Sequence, residues 1–344
     1  MDVAQHLAEQ VLDAIAGNTP LAIAGAGTRA VPDSGSKPMP VSGHHGIVDY
    51  EPRELYITAR AGTPLAAIEA ELAGAGQMLA FEPPRFADHS TLGGAIASGL
   101  SGPRRPYAGA ARDFVLGCRI INGRGEVLHF GGQVMKNVAG YDVSRLMVGA
   151  WGTLGVLLEV SLKVLPQPQA SLTVVREYPL DQALLRMREL AGKPLPVDAS
   201  CHLDGKLYLR LSGSEAAVEA ARRKLGGDVL QHAAAFWQQL RDRQLPFFAG
   251  PQPLWRLSLP PAHPPLNIEG SWLIEWGGAQ RWLKTDVDAG QMCLAASQAG
   301  GYATRLHGGE MPVFHALPPA LLALHRRVKQ AFDPHGIFNP GMSF

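Results

Sequence analysis

Three glycine-bearing stretches carry residue types suited to holding an anionic, planar ligand. The first is Gly25-Ala26-Gly27-Thr28-Arg29, directly after the apolar run Pro20-Leu21-Ala22-Ile23-Ala24. Small residues after a buried strand let backbone N–H groups converge on an anion, and Thr28 and Arg29 add a hydroxyl and a fixed positive charge. The same residues also suit an ordinary strand-to-turn transition. They do not form a dinucleotide fingerprint. The third glycine is missing, and Pro32 and Gly35 break any helix that would follow.

The second stretch, 89–102, sets Gly93, Gly94, Gly99 and Gly102 among the hydroxyls of Ser90, Thr91, Ser98 and Ser101. It suits the N-terminus of a small-residue helix whose N–H groups face a pyrophosphate. A glycine-rich surface loop is the alternative, and Leu92, Ala95, Ile96 and Leu100 at helical spacing argue against it. The third stretch spaces Gly149, Gly152 and Gly155 around Trp151 and Thr153. Glycines this dense mark either a tight turn with positive φ or a flat surface pressed on the main chain.

The elements that must position these loops follow from periodicity. Val3, Leu7, Val11, Leu12 and Ile15 predict an amphipathic helix over 3–15, then a short buried strand over 20–24. Strands are expected at 46–48 and 55–59. A helix at 65–73 should have Thr63 as its N-cap and Pro64 at its first position. A short strand is expected at 78–81 and a turn at 104–109. A hairpin with arms 113–121 and 126–130 should turn on Asn122-Gly123-Arg124-Gly125. Residues 156–164 move from a continuous apolar run into alternation, as a strand does when it is buried first and half-exposed later. Beyond Pro168 the texture changes. Strands at 171–177, 207–211, 254–259 and 272–275 alternate with helices at 180–191, 215–225 and 289–299, and 260–265 is a rigid proline loop. A basic amphipathic helix over 321–331, its charges a solvated face, leads into the closing tail.

Composition narrows the class. The chain has 344 residues, enough for two domains, and its net charge of +1 implies no field for nucleic acid. With 46% hydrophobic and 18% charged residues, the surface is apolar enough to be partly covered by partner subunits. Cys118, Cys201 and Cys293 are isolated, so no iron–sulfur centre or structural zinc is expected, and a reducing cytoplasm fits. The start lacks the charged and apolar regions of a signal peptide. The longest apolar run, 146–158, is too short to span a bilayer.

Taken in order, the 20–29 loop, Ser90-Thr91-Leu92-Gly93-Gly94, Arg112-Asp113-Phe114-Val115-Leu116-Gly117 and Gly152-Thr153-Leu154-Gly155-Val156 resemble a known pattern. It is the FAD-binding domain of the vanillyl-alcohol-oxidase/p-cresol-methylhydroxylase (PCMH-type) superfamily. Lys329, Phe332-Asp333-Pro334 and Gly336-Ile337-Phe338-Asn339-Pro340-Gly341 are similar to the C-terminal signature of its lactate/glycolate oxidase branch. The short second domain and the stretch 275–281 look most like the FAD-binding subunits of bacterial glycolate oxidases.

The resemblance implies an α+β fold: a PCMH-type FAD-binding domain of two α/β subdomains over 1–168, a smaller α+β cap over 169–320, and a C-terminal segment, 321–344, returning to the FAD domain. It implies cofactor contacts from Gly25, Ala26, Gly27, Thr28 and Arg29. Further contacts would come from Pro84, Ser90, Thr91, Leu92, Gly93 and Gly94, from Ser98, Gly99, Tyr107 and Asp113, and from Gly152, Gly155, Val156 and Asn339. It also implies partners, a larger flavin subunit and an iron–sulfur subunit, and a cytoplasmic site with peripheral membrane association through the complex.

Two departures matter. Catalytic members of the branch carry H-x-G-D-G-N-x-H, whose histidines hold a divalent metal against a 2-hydroxy acid. Here the nearest echo is His307-Gly308-Gly309-Glu310, so no metal and no catalytic residue is assigned. Trp151 stands where an acidic residue is usual, and no histidine follows the phosphate-loop glycines, so the FAD should be non-covalent. The leading expectation is a flavoprotein subunit of a glycolate oxidase. The alternative is a structural FAD-binding subunit that never contacts substrate, and the absent dinucleotide fingerprint disfavours a nicotinamide dehydrogenase.

Overall fold

The computed structural model describes residues 2–28, 35–132, 141–307 and 314–342. It divides into two compact units. The first comprises Met1–Ser101, Gly109–Gln167 and Ala316–Phe344; the second comprises Gly102–Ala108 and Pro168–His315.

In the first unit, the helix Val3–Ala16 is capped by Asp2, whose carboxylate accepts from Ala4 N at 3.3 Å. Its buried stripe is Ala4, Leu7, Val11 and Ala14, while Val3 and Leu12 are exposed. The strand Leu21–Ala24 pairs in parallel with Lys37–Pro40, a strand that its two prolines conceal in the sequence. A five-stranded antiparallel sheet forms the core, ordered Ile47–Glu51, Tyr56–Arg60, Val156–Lys163, Val115–Ile121, Val127–Gly131. Val156, Leu158, Val160 and Leu162 are fully buried at its centre. The helix Leu65–Gly74 takes Pro64 as N-cap, with no side-chain cap. Thr63 is drawn away instead: its hydroxyl accepts from Gly46 N at 2.9 Å and donates to Gly46 O at 3.1 Å. The expected strand at 78–81 shortens to Gln77–Met78, and the first residues of 113–121 belong to a one-turn helix, Ala111–Phe114.

The second unit is an eight-stranded antiparallel sheet. Its order is Asp228–Val229, Ala170–Glu177, Lys206–Gly213, Val197–Leu203, Ser271–Glu275, Gln280–Lys284, Leu254–Ser258, Tyr302–His307. The helices Leu180–Ala191 and Glu215–Leu225 bury Leu184, Met187, Leu190, Val218, Ala221 and Leu225 against it. Ala233–Arg241 seats Trp237 and Leu240, and Ala289–Gln298 seats Met292 and Ala296. Residues 105–108, expected as part of a turn, form a short helix that packs on the strand Val197–Leu203. Arg104 there meets Asp198 at 2.7 Å, and Gly102 O accepts from Trp276 Nε1 at 3.0 Å.

Candidate functional site

The strand Leu21–Ala24 delivers the first glycine loop. The closing tail runs beside it: Leu21 N donates to Ile337 O at 2.7 Å, and Asn339 N donates to Leu21 O at 3.0 Å. The strand's far end is fixed by Val41 N donating to Ala24 O at 2.8 Å. Past this point the N–H groups of Gly25, Ala26, Gly27 and Thr28 find no acceptor among the described residues. Four successive donors on small residues without an acceptor among the described residues have the make-up of a backbone nest, a feature suited to anions. Gly25 has no room for a side chain, since a Cβ there would lie 2.2 Å from Thr91 Oγ1. Gly27 has φ +67°, a conformation that glycine adopts without steric cost. Arg29 lies outside the described residues.

The second stretch forms the helix Leu92–Ser98, with Thr91 as N-cap. Its first N–H groups are not available to a pyrophosphate. Leu92 N donates to Thr63 O at 2.9 Å, Gly93 N to Ala61 O at 2.7 Å and Gly94 N to Thr91 Oγ1 at 3.3 Å. The expectation of a helix N-terminus facing phosphate is corrected accordingly: the free donors belong to 25–28. Gly93 serves packing, because a Cβ there would sit 2.9 Å from Ala61 O. Ser90 Oγ accepts from Phe86 N and Ala87 N, both at 3.1 Å, and contacts Thr28 Oγ1 at 3.4 Å, joining this loop to the nest.

The third stretch forms the tight turn with positive φ that its glycines allow. Gly149 and Gly152 take φ +82° and +73°, as a turn requires, and Gly152 and Gly155 also line the same cleft. The turn docks on the end of the Leu92–Ser98 helix, Gly149 N donating to Ile96 O at 3.0 Å and Trp151 N to Ala97 O at 2.8 Å. Trp151 itself has φ +53°, which costs a side-chain-bearing residue about 1–2 kcal/mol.

Asn339 ties the loops together. Its Oδ1 accepts from Ile23 N at 2.6 Å, and its Nδ2 donates to Ile23 O at 3.3 Å and Trp151 O at 2.7 Å. Lys329 reinforces this, donating to Thr153 O at 2.6 Å, Phe338 O at 2.9 Å and Asp333 Oδ2 at 2.6 Å. Burial lowers the Lys329 pKa, against the opposing pull of Asp333. Asp333 in turn accepts from Ile337 N at 3.2 Å and Phe338 N at 2.9 Å.

The result is an open cleft, about 730 Å³ counting its open mouth. Of the residues expected to touch a cofactor, Gly25, Ala26, Gly27, Thr28, Thr91, Gly93, Gly94, Ser98, Gly152, Gly155 and Asn339 line it. The structure adds Ile23, Ala24, Val41, Ala61, Ala97, Trp151, Leu157 and Met342 to the wall. Of these, Ile23 and Ala24 lie in the apolar run before the first loop, Ala97 in the second stretch, and Trp151 and Leu157 in or beside the third, while Val41, Ala61 and Met342 carried no signal in the sequence. No described lining residue is charged.

The remaining expected residues lie off this wall. Pro84, Leu92 and Val156 are buried packing residues. Ser90 acts on Thr28 from the adjoining loop, and Gly99, at φ +63°, ends the helix where a Cβ would press within 3.0 Å of Gly149. Asp113 accepts from Ala110 N at 2.8 Å and caps its own short helix. Tyr107 belongs to the segment grouped with the second unit and hydrogen-bonds Ser200.

The second unit holds a buried carboxylate, Glu275, whose Oε1 accepts from Trp282 Nε1 at 2.6 Å and also from Gln280. Burial raises its pKa. The His307 pKa is lowered, first by burial and then by Lys284 and Arg243. Its expected companions Gly308, Gly309 and Glu310 lie outside the described residues. Among the described residues, no group of three His, Cys, Asp or Glu side chains is placed to hold a metal ion.

Comparison with known proteins accords with this geometry. Residues 3–131 match the FAD binding domain, and residues 289–343 match the C-terminal domain of FAD linked oxidases. Glycolate oxidase subunit GlcE of Escherichia coli (strain K12) is 51% identical over 345 residues, spanning 100% of this chain and 98% of that protein. A D-lactate dehydrogenase of Archaeoglobus fulgidus is 25% identical, covering 76% of this chain and 72% of its own length. Alkyldihydroxyacetonephosphate synthase superposes with a TM-score of 0.68 over 97% of this chain and 74% of that one. At 16% identity that likeness concerns the fold alone. With an end-to-end match to GlcE and both halves of the FAD-linked oxidase signature in place, the chain belongs to the glycolate oxidase subunit GlcE family of FAD-linked oxidoreductases.

Proposed function

We propose that this chain is the FAD-binding subunit of a glycolate oxidase, working with a larger flavin subunit and an iron–sulfur subunit to oxidise glycolate to glyoxylate. One observation carries the reading: the 51% identity to GlcE runs the length of the chain, and the cleft lies mostly in the part that matches an FAD binding domain. The first unit is then the FAD domain and the second a cap.

The residues present suit FAD. The N–H groups of Gly25, Ala26, Gly27 and Thr28 would hold the pyrophosphate, with the Thr28 hydroxyl held by Ser90 beside them. The apolar wall of Ile23, Val41, Ala61, Leu157 and Met342 would exclude water from the rings. No described lining residue is His, Cys or Tyr, so the cofactor would be bound without a covalent link. Bound FAD supplies the two-electron redox chemistry, and the chain supplies position and electrostatics.

No side chain of this chain is assigned as a base for the substrate hydroxyl. Such a base is worth about 10²–10⁴ in rate, so the isolated chain should be reduced by glycolate slowly. Among the described residues no helix is long and apolar enough to cross a membrane. The test is anaerobic addition of glycolate to the FAD-loaded chain alone and in its complex. Bleaching of the flavin at least a hundredfold faster in the complex supports the proposal. Equal rates would mean that a catalytic site in this chain has been overlooked, and no bleaching in either would end the glycolate assignment.

A further inference from the structure

Trp151 has a conformation that its residue type does not favour. Its φ of +53° lies in the left-handed region, where bulky residues are outliers. The neighbouring turn positions with positive φ, 149 and 152, are glycines. Position 151 is held in place from both sides, its N–H donating to Ala97 O at 2.8 Å and its C=O accepting from Asn339 Nδ2 at 2.7 Å. A glycine would take this conformation without strain and keep both bonds. The indole is therefore present against the local backbone preference, and strain of this kind marks positions where the side chain has a task.

Core packing is not that task, because Trp151 is only half-buried and faces the cleft, where it is the single aromatic ring among the described lining residues. The same cleft is also lined by the small residues Gly25, Ala26, Gly27, Gly93 and Gly94.

We propose that the Trp151 indole is a stacking wall for one of the two planar ring systems of bound FAD, and that the Ala97 and Asn339 hydrogen bonds set its angle. This rests on the FAD reading of the cleft. The ligand chemistry is a planar heteroaromatic ring attached to a pyrophosphate. Ring stacking on an aromatic side chain is strong enough that its loss should weaken binding by about tenfold or more.

The test uses the full-length chain freed of flavin, with Trp151→Phe, Trp151→Ala and Trp151→Gly. FAD titration gives the dissociation constant and a thermal melt gives the stability of the ligand-free chain. The proposal predicts that Trp151→Phe stays within about threefold of wild type, while the Ala and Gly variants lose tenfold or more in FAD affinity. It further predicts that Trp151→Gly melts above Trp151→Ala, because only the alanine retains the left-handed strain. Titrations with ADP and with FMN then identify the ring, the weakened one marking the end that stacks. Wild-type FAD affinity in all three variants would overturn the proposal while leaving the FAD reading intact. Failure of the wild-type chain to bind FAD would overturn both.

Discussion

Asn339 is 3% exposed, and both of its side-chain polar atoms are hydrogen-bonded. Its carbonyl and its amide are both used on the backbone of Ile23 and Trp151, across 316 and 188 residues of sequence. The resemblance suggested a cofactor contact here; the geometry shows a clamp between two loops of the cleft. Replacing it with alanine leaves Ile23 N and Trp151 O without their partner. The Asn339→Ala chain should lose about 2–3 kcal/mol of stability, since each unpaired buried group costs about 1–3 kcal/mol. It should also bind FAD at least tenfold more weakly. A thermal melt and an FAD titration measure the two effects. Unchanged affinity in a destabilised chain would show that the clamp holds the tail without shaping the cleft.

At the scale of elements, legibility depended on whether buried positions were apolar. The helices Leu180–Ala191 and Glu215–Leu225 have the bounds their periodicity predicts, because Leu184, Met187, Val218 and Ala221 are the residues that meet the sheet. The strand Val197–Leu203 escaped notice because it buries Asp198, Ser200 and His202 among its apolar residues. That polarity is tolerated since Arg210 and Arg104 both reach Asp198 at 2.7 Å. Gln280–Lys284 was hidden likewise by Arg281, fully buried yet bonded to the carbonyls of Gly278, Pro264 and His263.

The Leu92–Ser98 helix shows the opposite case, an element correctly anticipated with its task misplaced. Gly93 permits close approach to Ala61, a contact between distant segments that no local pattern encodes. Gly93→Ala should therefore lower the melting temperature of the flavin-free chain by several degrees, with 1 kcal/mol amounting to roughly 2–4 °C in a domain of 150–250 residues. A substitution that leaves the flavin-free melt unchanged and removes only FAD binding would restore the phosphate role.

For the whole molecule, family and cleft support the same account from separate directions. The end-to-end match to GlcE identifies the lineage, and four backbone donors without an acceptor among the described residues, beside a cleft whose described lining carries no charge, would supply the binding chemistry. The ordered set of short motifs made the family legible, although each motif alone was weak. What the sequence did not convey was how the last residues of the chain pass beside the first strand and lock the loops, because Leu21 and Phe338 are neighbours only in space. The central claim is that this cleft holds FAD, without a covalent bond, on the 25–28 loop. The most direct measurement is the flavin absorbance of the purified wild-type chain and of Gly25→Val after incubation with FAD, before and after acid precipitation. The account predicts about one FAD per wild-type chain, all of it released to the supernatant, and no bound flavin in Gly25→Val. Full occupancy in Gly25→Val, or a yellow pellet under a colourless supernatant, would contradict it.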